Sequence, residues 1–309
     1  METAKSEKKA NKGNLFSDCI SVVFSCDDNY FQHLYCAIVS MICNKKDSDI
    51  ISIYILIENL CDKNKKLLQE LCDTNNIGLC FVKVRGEDFK ACPITQYCSH
   101  ISIATYYRFV LARILPKLDK VLYLDCDITI QGSLRELFDT DIEDFYFGAV
   151  KDILFESNTE RLGIKKYCNA GIMLINLKKW REENIEFRLF DWMTQNIRKI
   201  KWVDQDVLNC VLQDKIKYID KKWNAQVGQY KLCEDFNKMG KEAKILHHIA
   251  MDKPWSNICN SPLKFVYFKY LLKTPYAYKV PVYIFKQIFI PTLERIKKIL
   301  LAIRTDFEY

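Results

Sequence analysis

The chain has 309 residues, of which 49% are hydrophobic and 28% are charged, and its formal net charge is +7. This composition excludes a disordered chain, and it allows one large α/β domain with or without an appendage. The 14 cysteines include no Cys-x-x-Cys pair that would indicate a zinc site. We therefore interpret them as reduced, buried, small apolar side chains.

The N-terminal segment, residues 1–17, is polar and leads directly into a strand-like run. It does not provide the apolar core of a signal peptide. No stretch of the chain reaches the roughly 18 uninterrupted apolar residues that a membrane-spanning helix requires. We therefore expect a cytoplasmic protein.

Strands and helices alternate along residues 18–260, which predicts a parallel sheet with right-handed crossovers. In chain order the predicted elements are strand Ile20–Ser25, helix Tyr30–Cys43, strand Ile50–Ile57, helix Asp62–Cys72, strand Leu79–Val84, helix Ala104–Leu115, strand Lys120–Leu124, strand Asn169–Leu177, a long helix from Lys178 to about Asn196, and a helix that begins near Asp204. The alternation stops near residue 261, where we predict a domain boundary.

Basic charge is concentrated beyond that boundary. Residues 261–309 contain nine basic and three acidic residues, a net charge of +6, together with 11 of the 40 aromatic residues. This mixture is typical of a segment that lies on an anionic membrane surface. Single-stranded nucleic acid can also stack on such residues, but no RNA-binding signature accompanies them, so we expect no nucleic-acid partner.

Two acids follow a continuous apolar strand. Lys120–Leu124 runs directly into Asp125 and Asp127, and ligands of open α/β sheets bind beyond the C-terminal ends of strands. We expect the chain to bend at Cys126 so that the two carboxylates share an ion, because the end of a strand is where the chain can bend. Hard oxygen ligands suit Mg²⁺ or Mn²⁺. Taken alone, such a pair is a weak signal and is better explained by a solvated turn.

Six blocks of sequence, in order, resemble glycosyltransferase family 8. The blocks are Val23–Tyr30, His100–Arg108, Val121–Asp127, Cys168–Gly171, Asp204–Asp206 and His247–Trp255. This family consists of retaining enzymes and includes bacterial lipopolysaccharide galactosyl- and glucosyltransferases and glycogenin. The resemblance covers roughly residues 18–260 and implies the GT-A fold, with a Rossmann-like, mostly parallel central sheet flanked by helices. A helical, basic and aromatic C-terminal appendage would follow this catalytic domain.

The resemblance implies a metal site formed by Asp125, Asp127 and His247. His247 is selected over His248 because the family histidine stands eight residues before the tryptophan of a Lys-Pro-Trp motif. An imidazole ligand favours Mn²⁺ over Mg²⁺, although Mg²⁺ remains an alternative.

The resemblance also implies which residues contact the substrates. The UDP-hexose donor is assigned to Ser25, Asp27, Asn29, Arg108, Asp125, Cys126, Asn169, Ala170, Asp204, Gln205, Ala250 and Lys253. Ala250 stands where the family usually carries glycine. Lys253 would face the diphosphate, and His100 matches a position near the glycan or glycolipid acceptor.

Several of these residues also have a structural explanation. Asp28, beside the predicted nucleoside contacts, could cap a helix, and Arg108 could be a surface arginine. The small residues Ala170 and Gly171 could mark tight strand packing, and His100 could be a surface histidine in front of a helix.

Asp204 and Gln205 are the predicted catalytic residues. The resemblance implies that Asp204 holds sugar hydroxyl groups and that Gln205 lies beneath the anomeric carbon. A neutral amide is a poor nucleophile, so we favour attack by the acceptor from the face that the leaving group vacates, with the departing phosphate oxygen as base. A covalent glycosyl-enzyme on a carboxylate is the alternative.

We thus predict a retaining transferase that moves galactose or glucose from a UDP-sugar to a cell-envelope glycoconjugate such as lipopolysaccharide. The tail would hold it on the inner face of the cytoplasmic membrane. A nucleotide-sugar pyrophosphorylase or nucleotidyltransferase is a weaker alternative, because its Gly-rich basic loop is replaced by the acidic turn at residues 27–29. The sequence is also compatible with a catalytically silent nucleotide-sugar-binding module and with self-glycosylation on tyrosine.

Overall fold

The computed structural model describes residues 18–98, 102–227, 236–250, 253–289 and 292. The polar N-terminal extension, His100 and the distal part of the basic tail lie outside the described residues. Within these ranges, ten strands form two sheets. The strands are β1 (Ile20–Ser25), β2 (Ile51–Ile57), β3 (Gly78–Lys83), β4 (Lys120–Leu124), β5 (Ile128–Ile130), β6 (Phe147–Lys151), β7 (Cys168–Asn176), β8 (Ile216–Tyr218), β9 (Ala225–Val227) and β10 (Ile245–His248).

The larger sheet has the strand order β3-β2-β1-β4-β7-β6-β8. The pairs β3/β2, β2/β1, β1/β4 and β6/β8 are parallel, whereas β7 runs antiparallel to both β4 and β6. This arrangement confirms the predicted α/β class with a mostly parallel central sheet. Its middle strands are continuous apolar runs because helices cover both faces of the sheet.

The smaller sheet has the order β5-β10-β9, with β10 antiparallel to β5 and parallel to β9. It begins immediately after β4, because the chain leaves the large sheet at Leu124 and enters β5 at Ile128. The bend that we expect at Cys126 is therefore a change of sheet. His247 on β10 is paired with Ile128 on β5, next to Asp127.

Helices cover the larger sheet on both faces, and the helices of the tail pack outside this layer. In chain order, the α-helices of the described residues follow. They are α1 (Phe31–Asn44), α2 (Asp62–Thr74), α3 (Leu111–Ile114), α4 (Arg135–Phe138), α5 (Phe155–Leu162), α6 (Leu177–Glu182), α7 (Ile185–Gln195), α8 (Val203–Leu212), α9 (Phe236–Glu242), α10 (Lys264–Leu271) and α11 (279–289). Residues 31–41 of α1 are all buried. A helix buried all round lies between two packed layers, and here α10 covers the side of α1 that faces away from the sheet.

Two predicted helices differ from the structure. The predicted helix from Lys178 to Asn196 is wrong, because it is broken into α6 and α7 at Asn184, whose φ of 49° is left-handed. Asparagine tolerates this conformation better than most residues. Residues Ile103–Val110 wind as a 3₁₀ helix before the short α3, and the side chain of Arg108 donates to the carbonyl of Thr105 within that segment.

The described part of the tail packs on the body of the protein. Cys36 of α1 and Tyr267, Phe268 and Leu271 of α10 share one buried cluster. The amide of Gln32 on α1 also donates to the Tyr267 hydroxyl at 3.2 Å. None of the helices in the described ranges is long and apolar enough to span a membrane.

The cysteines within the described ranges are all free thiols. Most are buried, as predicted, but Cys43, Cys61 and Cys80 are exposed, so the prediction of burial is wrong for these three. Cys43 lies near the end of α1, Cys61 directly precedes α2, and Cys80 lies on the edge strand β3.

Candidate active site

One cleft of about 700 Å³ lies beyond the C-terminal ends of β1 and β4. Every predicted site residue within the described ranges lines this cleft. These residues are Ser25, Asp27, Asn29, Arg108, Asp125, Cys126, Asp127, Asn169, Ala170, Asp204, Gln205, His247, Ala250 and Lys253. The predicted acceptor residue, His100, lies outside the described residues, and its role stays a prediction.

Three of these side chains could hold a metal ion. Asp125 follows β4, Asp127 precedes β5, and His247 projects from β10, with one ligand atom of each lying within 4.8 Å of the others. The Nε2 atom of His247 is 3.3 Å from Oδ1 of Asp127 and 3.8 Å from Oδ2 of Asp125. His248, by contrast, contacts Thr129 through Nε2 at 2.9 Å, and burial lowers its pKa to about 3. It is therefore a neutral core residue.

Two features show that this group fits a divalent cation. The buried Oδ1 atom of Asp127 has no hydrogen-bond partner within the described structure, so it is free to accept a metal ion. The Nδ1 atom of His247 is 3.1 Å from the side-chain oxygen of Asn224. A neutral His247 that donates from Nδ1 to Asn224 presents the lone pair of Nε2 to the acids, as a metal ligand requires.

Asn224 belongs to a buried network of hydrogen-bonded side chains that we did not predict from the sequence. Its amide donates to Oδ1 of Asn169 at 2.9 Å, and the amide of Asn169 donates to Asp152 at 3.2 Å. Neither Asn224 nor Asp152 belongs to a sequence motif that could have indicated its role in the site. Asn224 precedes β9 and Asp152 follows β6, and these strands of three to five residues are too short to be recognised in the sequence. Their roles depend on contacts between distant parts of the chain.

Two cations face the carboxylates. Arg108 is buried, and its guanidinium contacts Oδ1 of Asp125 at 2.9 Å and Oδ2 of Asp204 at 3.1 Å. It also lies 4.0 Å over the ring of Tyr123. Burial opposes its charge, but the pKa of Arg108 is raised by Asp204, Tyr123 and Asp125. Arg108 is thus a buried member of the site, and the alternative of a surface arginine is wrong.

Lys253 is the second cation, and its ammonium group pairs with Oδ2 of Asp127. Burial disfavours the charged forms of both Asp127 and Lys253. Lys253 nevertheless holds the pKa of Asp127 below its ordinary value, and Asp127 raises the pKa of Lys253. Burial raises the pKa of Asp125, although Arg108 opposes the shift. Crowded carboxylates of this kind are stabilised by a bound cation.

Asp204 lies in the first turn of α8, and Asp206 fixes the start of that helix. The carboxylate of Asp206 accepts hydrogen bonds from the backbone amides of Lys201 and Trp202, at 2.7 and 2.9 Å. Asp204 itself accepts a bond from the hydroxyl of Thr105. Burial raises the pKa of Asp204 to about 6, even though Arg108 favours its charged form.

Gln205 is held rigidly beside Asp204. Its side-chain oxygen accepts from the backbone amide of Ala170 at 3.0 Å. Its side-chain nitrogen donates to Oδ2 of Asp152 at 3.2 Å and to the hydroxyl of Tyr167 at 3.1 Å. The amide therefore has a fixed orientation at the wall of the cleft.

The turn after β1 separates two acids with different roles. Asp27 lines the cleft and accepts from the backbone amide of Tyr30 at 3.0 Å, at the start of α1. Asp28 faces away and binds the amide of Cys61 and the side chain of Asn64, where α2 begins. Asp28 is thus a helix cap, but of α2 rather than of the helix that follows it in sequence.

Ala250 lies just after β10, at the edge of the cleft, with a φ of 58°. This left-handed conformation strains a residue that has a Cβ atom and suits glycine. The strain gives a physical reason for the glycine that family 8 usually carries at this position.

Comparison with known proteins agrees with this geometry. The model of glycosyl transferase family 8 matches residues 21–259. Lipopolysaccharide glucosyltransferase WaaO of Escherichia coli K12 is 29% identical over 250 residues, which cover 77% of this chain and 73% of that protein. Lipopolysaccharide 1,3-galactosyltransferase of Salmonella typhimurium LT2 is 27% identical over 252 residues, which cover 77% of this chain and 74% of that protein.

A solved structure gives the same result for the fold. Galactosyltransferase LgtC, in complex with donor and acceptor sugar analogues, superimposes with a TM-score of 0.74 and 28% identity over 83% of this chain and 96% of that chain. The family match covers well over half of the chain, and the sheet order is that of a GT-A fold. The chain therefore belongs to glycosyltransferase family 8, as an enzyme whose Asp125, Asp127 and His247 form a candidate site for a divalent metal ion.

Proposed function

We propose that this enzyme is a retaining, metal-dependent hexosyltransferase that moves galactose or glucose from a UDP-sugar to a cell-envelope glycoconjugate such as lipopolysaccharide. The observation that carries the proposal is the group of Asp125, Asp127 and His247 in the cleft, with Arg108 and Lys253 beside it. The names of the two lipopolysaccharide transferases similar to this chain support the choice of sugar and acceptor.

A divalent cation bound by Asp125, Asp127 and His247 would neutralise charge on the diphosphate of the UDP leaving group. We favour Mn²⁺ because one ligand is an imidazole, with Mg²⁺ as the alternative. Lys253 would add a second positive charge on the same side of the cleft, and the backbone at Ala250 would contact the phosphates.

The remaining donor contacts follow from the position of each residue around the cleft. Residues at the end of β1 would bind the nucleoside. Arg108, from the 3₁₀ helix Ile103–Val110, and residues at the adjacent ends of β4 and β7 would bind the sugar. The first set is Ser25, Asp27 and Asn29, and the second is Arg108, Cys126, Asn169 and Ala170. Because Arg108 already bridges Asp125 and Asp204, it would place the sugar between those two acids.

The contacts of the carboxylates around Gln205 support attack by the acceptor from the face that the leaving group vacates, and they argue against a covalent glycosyl-enzyme. Asp204 accepts a hydrogen bond from Thr105 through Oδ1, and its buried Oδ2, which has no hydrogen-bond partner in the described structure, is ion-paired with Arg108. Asp152 accepts from Asn169, Gln205 and the backbone of residue 154. A carboxylate whose oxygens are engaged in this way is a weak nucleophile. We propose that Asp204 orients the hexose and that the amide of Gln205 stabilises the charge that develops near the anomeric carbon.

We propose that residues 18–260 carry the catalysis and that residues 261–309 hold the enzyme on the inner face of the cytoplasmic membrane. The net charge of +6 in this segment supports binding to anionic lipid. The described part of the segment also exposes the apolar side chains of Val282, Phe285, Ile288 and Phe289 on α11.

Cleavage of nucleotide sugars tests the proposal. UDP-galactose, UDP-glucose and other nucleotide sugars would be incubated with the protein in Mn²⁺, Mg²⁺ or EDTA, and the released nucleotide would be measured. We expect turnover of a UDP-hexose only when metal is present. Asp127→Asn should lower kcat/KM roughly 100-fold or more, because several kcal/mol of charge stabilisation would be lost.

Asp28→Asn is the matched control for Asp127→Asn. It makes the same substitution at a carboxylate that faces α2 instead of the cleft. It should keep the wild-type turnover. If no donor is cleaved, the silent binding module becomes the better explanation. Exchange of pyrophosphate into the nucleotide sugar would instead indicate a pyrophosphorylase.

A further inference from the structure

Gln287 of the tail helix α11 contacts the turn that carries Lys253, a residue that lines the cleft. Residues 253–256 form a tight turn, in which the amide of Ser256 donates to the carbonyl of Lys253 at 2.7 Å. The side-chain amide of Gln287, on α11, donates to the carbonyl of Pro254 at 2.7 Å and to that of Ser256 at 2.9 Å. Both hydrogens of the amide are thus used to hold the turn from outside.

We propose that Gln287 is a positioning residue that clamps this turn and thereby places Lys253 in the donor site. The proposal deepens the proposed function and rests on it, because it gives Lys253 a role toward the diphosphate. The family match ends at residue 259, so Gln287 lies beyond the region that this chain shares with the family model. The tail then contributes to the donor site in addition to its proposed membrane contact.

The surroundings of Lys253 explain why its turn needs such a clamp. Its ammonium group pairs with Asp127 and lies 5.6 Å from the ring of Tyr30 and 5.7 Å from that of Trp255. A lysine side chain has four rotatable bonds and a compact charge that water solvates strongly. The direction of its ammonium therefore depends on how firmly the backbone of the turn is held.

Trp255, at the centre of the turn, fixes the opposite side. Its indole stacks on the imidazole of His33 with 3.6 Å between ring centroids, and His33 lies 2.8 Å from the hydroxyl of Tyr267 on α10. Burial lowers the pKa of His33 to about 3, so the ring is neutral and does not repel Lys253. The turn is thus held between α1 and α10 on one side and Gln287 of α11 on the other.

Two substitutions of Gln287 test its hydrogen bonds to Pro254 and Ser256. Gln287→Ala removes both hydrogen bonds. Gln287→Glu keeps the shape of the side chain but replaces its donors with a carboxylate, which cannot donate to a carbonyl. The neighbouring residue Ile288 is 57% exposed on the same helix, and Ile288→Ala is the matched control.

The first measurement does not depend on catalysis. Lysine side chains would be acylated with an N-hydroxysuccinimide ester, and the rate at Lys253 would be followed by peptide mass spectrometry. In the wild type this amine is largely buried and ion-paired, which slows the reaction. We expect faster labelling of Lys253 in Gln287→Ala and Gln287→Glu, and the wild-type rate in Ile288→Ala.

The second measurement is the KM for the UDP-sugar donor in acceptor-free hydrolysis. Loss of the two bonds should raise it roughly tenfold, with a smaller change in kcat. In a Lys253→Ala background, Gln287→Ala should change KM no further, whereas a purely structural role would act equally in both backgrounds.

The inference is wrong if Lys253 is labelled no faster in Gln287→Ala than in the wild type, or if the donor KM is unchanged. Equal effects of Gln287→Ala with and without Lys253 would also overturn it. If the wild type cleaves no nucleotide sugar, the proposed function fails, and the labelling rates alone then decide whether the clamp exists.

Discussion

Gly171 leaves space for the side chains of Asp125 and His247, two of the three candidate metal ligands. A Cβ atom at this position would lie 2.8 Å from Oδ2 of Asp125 and 2.9 Å from Nδ1 of His247, and it would also collide with Cε1 of that imidazole. Carbon atoms do not approach each other or a polar atom so closely without displacement. The imidazole cannot move freely, because Asn224 holds its Nδ1 atom. Glycine is therefore required at this position because a Cβ atom would collide with Asp125 and His247. Its backbone φ is not left-handed, so the backbone conformation does not require glycine.

We expect Gly171→Ala to weaken Mn²⁺ binding by about tenfold or more, since a ligand displaced by about 1 Å no longer meets the ion correctly. Isothermal titration calorimetry with Mn²⁺ and UDP would measure the change. Gly148→Ala, on the neighbouring strand β6, is the control because its new methyl group would first meet the side chains of Ile219 and Ile142, which do not line the cleft. Equal Mn²⁺ affinity in Gly171→Ala and the wild type would contradict the assignment of His247.

Asp204 should make the stability of the protein depend on pH. Its pKa is raised from 3.8 to about 6 by burial, so the folded state binds the proton more tightly than the unfolded chain does. The contribution of Asp204 to the free energy of unfolding should therefore fall by about 3 kcal/mol as pH rises from about 4 to about 6.

Urea unfolding of the metal-free protein at several pH values, for the wild type and Asp204→Asn, would measure this effect. Between about pH 4 and about pH 6 the wild type should lose stability relative to Asp204→Asn, which has no titrating group at this position, while the buried His33 and His248 add the same rising contribution to both proteins. Asp62→Asn, at a fully exposed carboxylate, should retain the wild-type slope. Identical slopes in all three proteins would show that Asp204 is not desolvated as the structure indicates.

At the scale of elements, the site is assembled where the two sheets meet. Asp125 ends a strand of the larger sheet, while His247 and Asn224 come from β10 and the residue before β9 in the smaller one. The hydrogen bond from His247 to Asn224 fixes the imidazole across this junction. The smaller sheet therefore orients the nitrogen ligand toward the acids of the larger sheet.

Asn224→Ala should lower the affinity for Mn²⁺ by roughly 10- to 100-fold, as is usual when the partner of a metal-bound imidazole is removed. Asn209→Ala is the matched control. Asn209 is also buried and hydrogen-bonded, but to the backbone of Cys168, so its loss should lower stability and leave Mn²⁺ affinity intact. Titration of both variants would contradict the orienting role if they lost Mn²⁺ affinity equally.

The sequence was sufficient to predict five strands of the larger sheet, β1 to β4 and β7, but not β6, β8 or the smaller sheet. The strand before Asp125 is a continuous apolar run, which any buried parallel strand requires, and its predicted bounds, Lys120–Leu124, are those of β4. By contrast, β5, β9 and β10 have only three or four residues, too few for a periodic pattern. His247 was assigned by family resemblance, while its partner Asn224 could be found only from the packing of distant segments.

At the scale of the whole molecule, the tail combines an inner and an outer face. The inner face of α10 is packed on α1, with Tyr267 and Leu271 fully buried. A truncation at residue 260 would expose this contact and would damage the protein for reasons unrelated to membranes. The outer face of α11 presents Phe285 and Phe289, which stack on each other at 4.3 Å. Substitution of these two exposed side chains is the cleaner test of membrane binding.

We expect the wild-type protein to float with vesicles that contain phosphatidylglycerol and to remain unbound with neutral phosphatidylcholine vesicles. Phe285→Glu combined with Phe289→Glu should abolish flotation, because two apolar contacts are replaced by charges that anionic lipid repels. Phe187→Glu, at an aromatic residue that is 63% exposed on α7, is the control and should float like the wild type. Donor hydrolysis in solution should be unchanged in all variants, which separates loss of lipid contact from misfolding. Wild-type flotation of the doubly substituted protein would show that α11 does not bind the membrane.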